Sequence, residues 1–529
     1  MKNEILYQDN ARKALENGIS ILAEAVAITM GPKGRNVVLA KKYNMPEIVN
    51  DGVTIAKEIF LEDSFENAGA SLVKEAAAKT NENAGDGTTT ATVLAYHILK
   101  EGLYYSLAGI DPLLLKAGML KSVKFVSDQI LEYARPVKNS LDIQQIATIS
   151  ANNDIAIGKI IAEAFSKAGR EGIISLEEGK SINTELEITE GMQFNKGILS
   201  PYFMDNNNEN VIKKENPYIL LTDLTLTSVQ KEIIPLLEKI VKLKKSLVII
   251  ARDIEQKALS TLIMNKIKGK VDVIAIKAPG FGNDVKDFLE DISILTKGQL
   301  IHQESDIKFN SLKHEVFGQA RQIIITTDST TIIANKENPH VEERCQFLRK
   351  QIEISDSIYE KEKLENRLTK LSGSVAVIKI GASTEVEMRE KHLRFEDSIN
   401  ACKASIAEGI VPGGGITLAQ ISNKLNGWAK EFLKGEEQLG ATIIAKALIA
   451  PFIQIVTNSG NNGTFILDKL QSKEYYIGYD AMRDEFVDLF DAGIIDPAKV
   501  TRCALQNAAS VASMILTTEC VIPQKITIN

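Results

Sequence analysis

The sequence predicts a multi-domain chain of α and α/β class, and three observations predict it. At 529 residues the chain is longer than one hydrophobic core organises, since cores stop growing near roughly 250–300 residues, so about three domains are expected. Both ends of the chain carry apolar residues at helical spacing. The middle instead alternates short apolar runs with helical patterns, as strands and their connecting helices do.

Taken in order, residues up to about 132 read as mostly helical, with apolar periodicity over 11–30 and 67–80. A well-bounded helix is expected from Thr88: Ala91, Leu94, Ala95 and Ile98 recur at i, i+3, i+4 and i+7, threonines open it, and Gly102 stands at its expected end. Short apolar runs at 218–221, 247–251, 271–276 and 323–325 read as strands of an α/β domain. The helices linking them carry two apolar stripes where covering a sheet needs one. In the first, Val229, Ile233, Leu236 and Ile240 lie beside Ile234, Leu237 and Val241; in the next, Ile254, Ala258 and Leu262 lie beside Leu259, Ile263 and Ile267. Two readings fit: a helix buried on two sides, or a second stripe exposed for a partner. Residues 341–371 are highly charged, with Leu348, Ile352, Leu364, Leu368 and Leu371 at helical spacing and a break at 355–357, which predicts an antiparallel helical hairpin. From about residue 398 the chain is helical again and rich in alanine.

Composition narrows the function classes. With 44% hydrophobic and 25% charged residues the chain is an ordinary globular protein. A formal net charge of -7 leaves no overall basic field for a phosphate backbone, so nucleic acid is not an expected partner. Cys345, Cys402, Cys503 and Cys520 are scattered without a CxxC pair, and the five histidines form no HExxH, so neither a disulfide framework nor a zinc site is expected. Apolar runs such as 247–251 fall far short of the roughly 20 residues of a spanning helix, and the N-terminal segment has neither the apolar core of a secretory signal nor the acid-poor composition of a transit peptide. No membrane partner is expected, and the protein is expected to stay where it is made.

Three loops could carry chemistry. Gly85-Asp86-Gly87-Thr88-Thr89-Thr90 heads the bounded helix: two glycines permit close backbone approach, and the helix N-terminus and three hydroxyls offer donors to phosphate. Asp86 would repel that phosphate unless a divalent cation such as Mg2+ lay between them. The plainer reading is a turn with a threonine N-cap. Thr29-Met30-Gly31-Pro32-Lys33-Gly34 reads as a helix end and turn, and Gly413-Gly414-Gly415 again permits close approach before a helix. A Walker A loop fails because Ile174 stands where its first glycine is needed before Gly179-Lys180-Ser181, and no GxGxxG follows a strand.

Longer motifs stand around these loops: DNARKALENG, TMGPKGRNVVL, NDGVTIAKEI, ENAGDGTTTATVLA, MQFNKGILSPYF, APGFG, GASTEVEMREK, EGIVPGGG and DPAKVTRCALQNAASVASMILTTEC. In this order they make the chain, from near Leu6 to about Val521, resemble the group I chaperonins of the GroEL or chaperonin-60 type. The resemblance implies a three-domain subunit: an equatorial domain of 1–132 and 409–529, an intermediate domain of 133–189 and 376–408, and an apical domain of 190–375. It implies two stacked seven-membered rings, ATP binding with Mg2+ and K+, capture of unfolded polypeptides, and enclosure under a co-chaperonin lid.

Carried over by motif, Thr29, Met30, Gly31, Pro32 and Asn50 would contact the nucleotide, and Asp86, Gly87, Thr88, Thr89 and Thr90 would hold phosphate, with Asp86 on the metal. Gly414 and Asp496 would contact ribose and base, with Asp480, Ala481 and Met482 at the other base positions. Asp397 would orient the attacking water, with Asp51 a second carboxylate near the phosphate. Tyr202, Phe203, Ile234, Leu237, Leu259, Ile263 and Met264 would bind polypeptide, which favours exposure of the second stripes. Asn50, Asp480, Met482, Ile198 and Lys196 depart from the commonest family residues, and the tail 521–529 lacks Gly-Gly-Met repeats. The competing functional classes are a phosphoryl-transferring enzyme for a small acceptor and a binding scaffold without turnover. The segments YQDNARKAL and LEEGKSINTELEITEGM look like the cyanobacterial and plastid branch, so a plastid-encoded stromal protein is expected, with bacterial cytoplasm as the alternative.

Overall fold

Apolar helices from the two ends of the chain need each other to bury their faces, and they fold together. The computed structural model describes residues 5–40, 47–49, 51–169, 172–179, 181–204, 211–243, 245–280, 282, 284–302, 309, 312–335, 338–355, 357–371, 373–470 and 473–522. It divides into two compact units, one of 1–163, 180–183 and 380–529, the other of 164–179 and 184–379. The segments expected for an intermediate domain are shared between the two.

In the first unit the Thr88–Leu107 helix packs on Ala498–Leu516, Gln8–Ala27 on Ser64–Ala84, and Pro112–Tyr133 on Glu436–Leu448. Ala504, Ala508, Ala509 and Ala512 are buried along one of these contacts, and such short side chains let helix axes approach closely. Leu15, Ile19, Leu94, Ile98, Leu115, Ile443 and Leu505 fill the core between the helices. Helix starts are fixed locally: the Asp111 carboxylate accepts from Leu113 N–H at 2.8 Å with Pro112 in the first turn, and Asp63 accepts from Phe65 N–H at 2.8 Å. Leu6–Tyr7 pairs antiparallel with Cys520–Val521, joining the chain's two ends.

One stretch exceeds the sequence expectation. Glu436–Asn458 is long and apolar enough, by length and composition, to cross a membrane. It is broken at Ile449, and 61% of its most apolar window is buried inside the protein, so its apolarity serves helix packing.

The second unit holds two sheets. Tyr218–Leu226, Leu247–Ile254 and Val273–Lys277 lie parallel in that order, with Leu300–Ile301 parallel on the far side of the first; the first five residues of the two longer strands and the first four of Val273–Lys277 are buried, as in a sheet covered by helices, while polar residues such as Asp223, Arg252 and Asp253 gather toward the strand ends. The run at 323–325 is a strand, Gln322–Thr326, but it belongs to the other sheet. That six-stranded sheet runs in the order Ile173–Glu178, Ser374–Ile380, Glu185–Phe194, Thr330–Ile333, Gln322–Thr326 and Val211–Glu215. Periodicity identifies an apolar strand and says nothing of its partner, which is why the four runs read together as strands of an α/β domain although the last lies in a second sheet.

The charged segment forms the expected helical pair, Pro339–Ile354 and Ile358–Leu371. Arg344, early in the first helix, and Arg367, late in the second, both reach the buried Asp291 carboxylate, at 2.9 and 2.8 Å. That pairing fixes the two helices antiparallel.

Candidate functional site

The site begins with two glycines. Gly85 ends the Ser64–Ala84 helix with φ 74°, and Gly87 begins the Thr88–Leu107 helix with φ 86°, so the chain reverses through left-handed conformations on both sides of Asp86. A side chain at Gly87 would stand 2.6 Å from Val500 Cγ1, and one at Gly85 would collide with Asn400. The loop is therefore held against two helices, Ala498–Leu516 and Glu385–Glu408. No side chain caps the Thr88–Leu107 helix, which leaves its first-turn N–H groups and its positive dipole end to a ligand.

Asp397 lies on Glu385–Glu408, one helical turn before Asn400. Phe395 beside it is buried, and Ser398 Oγ donates to Ala147 O at 3.0 Å, so the helix is clamped to Ser140–Ser150. The last residue of that helix, Ser150, donates from Oγ to Asp86 Oδ2 at 3.3 Å, while Gly87 N–H donates to Asp86 Oδ1 at 2.5 Å. Asp51 is the N-cap of Gly52–Glu58, accepting from Val53 N–H at 3.2 Å and Thr54 N–H at 2.8 Å. The next residue, Gly52, touches the hydroxyls of Thr88 and Thr89 so closely that a side chain there would collide with them.

These carboxylates share a recess. Burial raises the Asp86 carboxyl above its ordinary range, the bonds from Gly87 and Ser150 oppose that, and the charge of Asp51 adds to it. Asp397 is pushed well above its ordinary range by burial first, then by Asp86, Asp51 and Glu396. Among the described residues no ion pair includes Asp51, Asp86, Asp397 or Asp496, so their mutual repulsion is uncompensated. Three of the four hold raised values while still partly open to solvent, as groups lining a cleft do.

The second glycine loop closes another wall. Ile410–Pro412 pairs with Ile495–Pro497, Val411 standing opposite Asp496. Gly414 and Gly415 follow with φ 64° and 77°, and their N–H groups donate to Asp496. Burial, then the charge of Asp86, raises Asp496 to about 7 in spite of those two bonds. Ala481 is buried in the same cluster as Ile416, which places the turn after Ile477–Asp480 beside this loop. Asp480 turns back to cap that turn, accepting from Met482 N–H at 2.8 Å and Arg483 N–H at 3.2 Å, and Met482 is half exposed.

The loop of Thr29, Met30, Gly31 and Pro32 is also brought in. Met30 packs on Val93, one turn beyond Thr90, and on Ala450. Thr29 Oγ1 donates to Val26 O at 2.8 Å, while Asn458 Nδ2 donates to Ala27 O at 2.9 Å and Met30 O at 2.8 Å. Asn50 and the tail beyond Ile522 lie outside the described residues. Sequence reasoning missed Ser150, Asn400 and Asn458, whose spacing from the glycine loops carries no signal. Gly52 lay in a motif already noted, NDGVTIAKEI.

The expected polypeptide-binding residues lie in the second unit and divide by exposure. Tyr202 is 70% exposed, Met264 50% and Ile234 41%; Leu259 and Ile263 are partly exposed and pack against the core. Leu237 and Phe203 are buried, at 7% and 0%: the exposure expected of the second stripe fails at Leu237, and the Phe203 side chain is not at the surface. Ile233, Leu236, Leu237 and Ile240 form one i, i+3, i+4, i+7 face against the core, so Leu237 belongs with the buried residues, and only Ile234 and Val241 of its stripe are exposed. In the Pro201–Phe203 turn, a 3-10 helix of three residues per turn, neighbouring side chains diverge: Tyr202 points out and Phe203 into the core, where its carbonyl accepts from Lys266 Nζ at 2.5 Å. The first of the two striped helices opens with a wide π-type turn over Val229–Ile233, and the second, Gln256–Ile267, packs on it and on the Pro201–Phe203 turn.

Two solved structures of one phage protein resemble this fold over nearly its whole length. Chaperonin gp146 from bacteriophage EL 2 (Pseudomonas aeruginosa), crystallised in the presence of ATP-BeFx, matches in crystal form II with TM-score 0.66 and 21% identity, and in crystal form I with TM-score 0.62 and 21% identity. Each match covers 98% of this chain and 99% of the phage chain. The expected multi-domain α and α/β subunit is thus the fold observed. Residues 22–525 match the TCP-1/cpn60 chaperonin family, and the chain belongs to that family as an ATP-dependent chaperone.

Proposed function

We propose that the first unit binds Mg-ATP and hydrolyses it, and that the second captures unfolded polypeptide, which is then enclosed in a ring cavity for folding. One observation carries the reading: Asp51, Asp86 and Asp397 converge in a recess whose wall is an uncapped helix N-terminus. The donor set fits Mg2+. Half-buried carboxylates without a cationic partner among the described residues call for a cation, and among those residues no three ligating side chains form a closed metal cage. That pattern suits an ion held by one or two carboxylates and phosphate oxygens. Asp86 would hold it, and when bound it offsets charge developing on the transferred phosphoryl group. The first-turn N–H groups and the hydroxyls of Thr88, Thr89 and Thr90 seat the phosphates. Gly414 and Asp496 face the ribose and base, with Asp480, Ala481 and Met482 beyond them, and Thr29 to Pro32 border the nucleotide. K+ and a role for Asn50 rest on the family resemblance alone.

In hydrolysis a water oxygen attacks the γ-phosphorus, the bond to the β-phosphate oxygen breaks, and ADP leaves. Asp397 orients that water and accepts its proton, with Asp51 as the second carboxylate. A carboxylate whose pKa is raised is a stronger base than an ordinary one. Steady-state ATP turnover of Asp397→Ala beside the parent tests this: turnover should fall while ATP still binds, and equal turnover would remove Asp397 from the mechanism.

The capture surface comprises Tyr202, Ile234, Leu259, Ile263 and Met264. Flexible aliphatic and thioether side chains suit promiscuous capture, since apolar burial is worth about 25 cal/mol per Å² whatever the client sequence. We further assign equatorial, intermediate and apical domains with the boundaries given above, two stacked rings of seven, and a co-chaperonin lid of the chaperonin-10 type. Negative-stain imaging with and without ATP tests the assembly: sevenfold double rings are expected, and monomers alone would overturn it. Residence in the plastid stroma, with bacterial cytoplasm as the alternative, rests on the two resembling segments and is tested by organelle fractionation.

A further inference from the structure

The second unit contains a cavity of about 510 Å³ lined by none of the residues assigned above to nucleotide or polypeptide binding. Its walls come from three places: the edge strand Val211–Glu215, the end of the Ile234–Leu243 helix with the turn after it, and the turn leading into Val273–Lys277. Four lysines, Lys213, Lys214, Lys245 and Lys270, line it with two acids, Glu215 and Asp272. On a chain whose net charge is -7, this pocket carries two positive charges in excess.

Ordinary structural duties account for only part of that charge. Lys214 pairs with Asp272 at 2.9 Å, and Lys245 lies 5.1 Å from the centre of the Tyr218 ring. Lys270 follows the Gln256–Ile267 helix, where a cation commonly serves the terminal carbonyls. Those carbonyls are already closed by backbone. Gly269, at φ 64°, donates to Lys266 O at 2.8 Å, and Lys270 N–H donates to Asn265 O at 3.1 Å, the paired bonds of a Schellman turn. The Lys270 ammonium is thus not needed as a cap, and among the described residues neither it nor Lys213 has an acidic partner. Val241 and Val271 add an apolar wall. A cavity of this size accommodates a small organic ligand.

We propose that this cavity binds a compact polyphosphate anion, with Lys213 and Lys270 as its principal partners and Lys214 and Lys245 beside them. The phosphate tail of an organic oligophosphate and free inorganic polyphosphate share that chemistry. The proposal is independent of the nucleotide site, because every lining residue lies in the other unit.

The test is calorimetric titration of the full-length protein with inorganic tripolyphosphate at low salt, with ADP and Mg2+ saturating throughout so that the nucleotide site is filled. One ion per chain should bind, and the Lys213→Glu/Lys270→Glu double variant should bind it at least tenfold more weakly with unchanged circular dichroism. Lys213→Ala/Lys270→Ala serves if charge reversal perturbs folding. Lys231→Glu/Lys257→Glu, which alters lysines of the same unit outside the cavity, should leave binding unchanged. Absence of binding to the parent, or equal weakening by both pairs of charge reversals, overturns the proposal. An organic pyrophosphate ester with an aliphatic tail supplies the second arm: tighter binding than tripolyphosphate assigns the tail of an organic ligand seated on Val241 and Val271, and weaker binding assigns the inorganic ion.

Discussion

The recess around Asp86 and the apolar face around Ile234 and Met264 put opposite demands on sequence. In the first, function resides in backbone shape and in charge held out of water: Gly85 and Gly87 in left-handed conformations, Val500 and Asn400 against them, and carboxylates whose pKa values rise together. Few residues can stand at each position. In the second, Ile234, Leu259, Ile263 and Met264 need only be apolar and accessible, and several aliphatic choices would serve. A site built on backbone geometry leaves a recognisable motif, whereas an adaptable apolar surface leaves only a pattern.

If that contrast is right, substitutions should act very differently in the two regions. The largest effect is expected at Asp397→Ala, which should lower ATP turnover by about 100- to 10,000-fold with nucleotide affinity retained, read by steady-state ATPase and equilibrium binding. Phe203→Ala should destabilise the protein by about 3–5 kcal/mol in denaturant titration, since it empties a fully buried site, whereas Tyr202→Ala next to it should change stability by less than about 0.5 kcal/mol. Equal costs at the two would break the division between core and capture face.

Asp496 supplies a pH test. Its value in the fold, about 7, exceeds its ordinary 3.8, so the nucleotide-free protein keeps a proton that the unfolded chain releases. Stability therefore falls as pH rises from about 4 to 7, and the penalty is complete above that window. Asp496→Asn should raise stability at pH 8 by roughly 2–4 kcal/mol and leave it unchanged at pH 4, measured by chemical denaturation at both values. Gly87→Ala, at φ 86° and with Val500 Cγ1 at 2.6 Å, should cost about 1–3 kcal/mol and weaken ATP binding. The smallest change in stability, within about 0.5 kcal/mol, is expected for Met264→Ser, which should nevertheless reduce suppression of aggregation of an unfolded client. A loss of stability without loss of capture there would reverse the comparison.

Much of this was legible in the sequence. Periodicity located the start of the Thr88–Leu107 helix, the strands at 218–226 and 247–254 and the charged helical pair, because each obeys a local rule that needs no knowledge of its neighbours; Gly102, expected to end that helix, instead lies buried inside it, and the helix runs on to Leu107. The loop Gly85 to Thr90 was legible for the same reason. Leu237 was misplaced because two i, i+4 rows on one helix can be divided in more than one way, and only the packed core says where the buried face ends. Ser150, Asn400 and Asn458 were invisible because their importance lies in what folding sets beside them.

By itself, then, the sequence determined the classes of the elements, the glycine positions where the chain must turn left-handed, and the motifs that mark the family. These are short-range properties, set by steric limits on φ and by the period of apolar residues. Tertiary structure decided which of them meet. It set Asp51, Asp86 and Asp397 within electrostatic reach of one another across more than 300 residues of chain, sent the strand at 322–326 to a second sheet, and placed at the edge of a cavity two lysines that have no acidic partner among the described residues. Burial and Coulomb interaction depend on distance in space, and distance in space is the quantity a linear sequence does not contain.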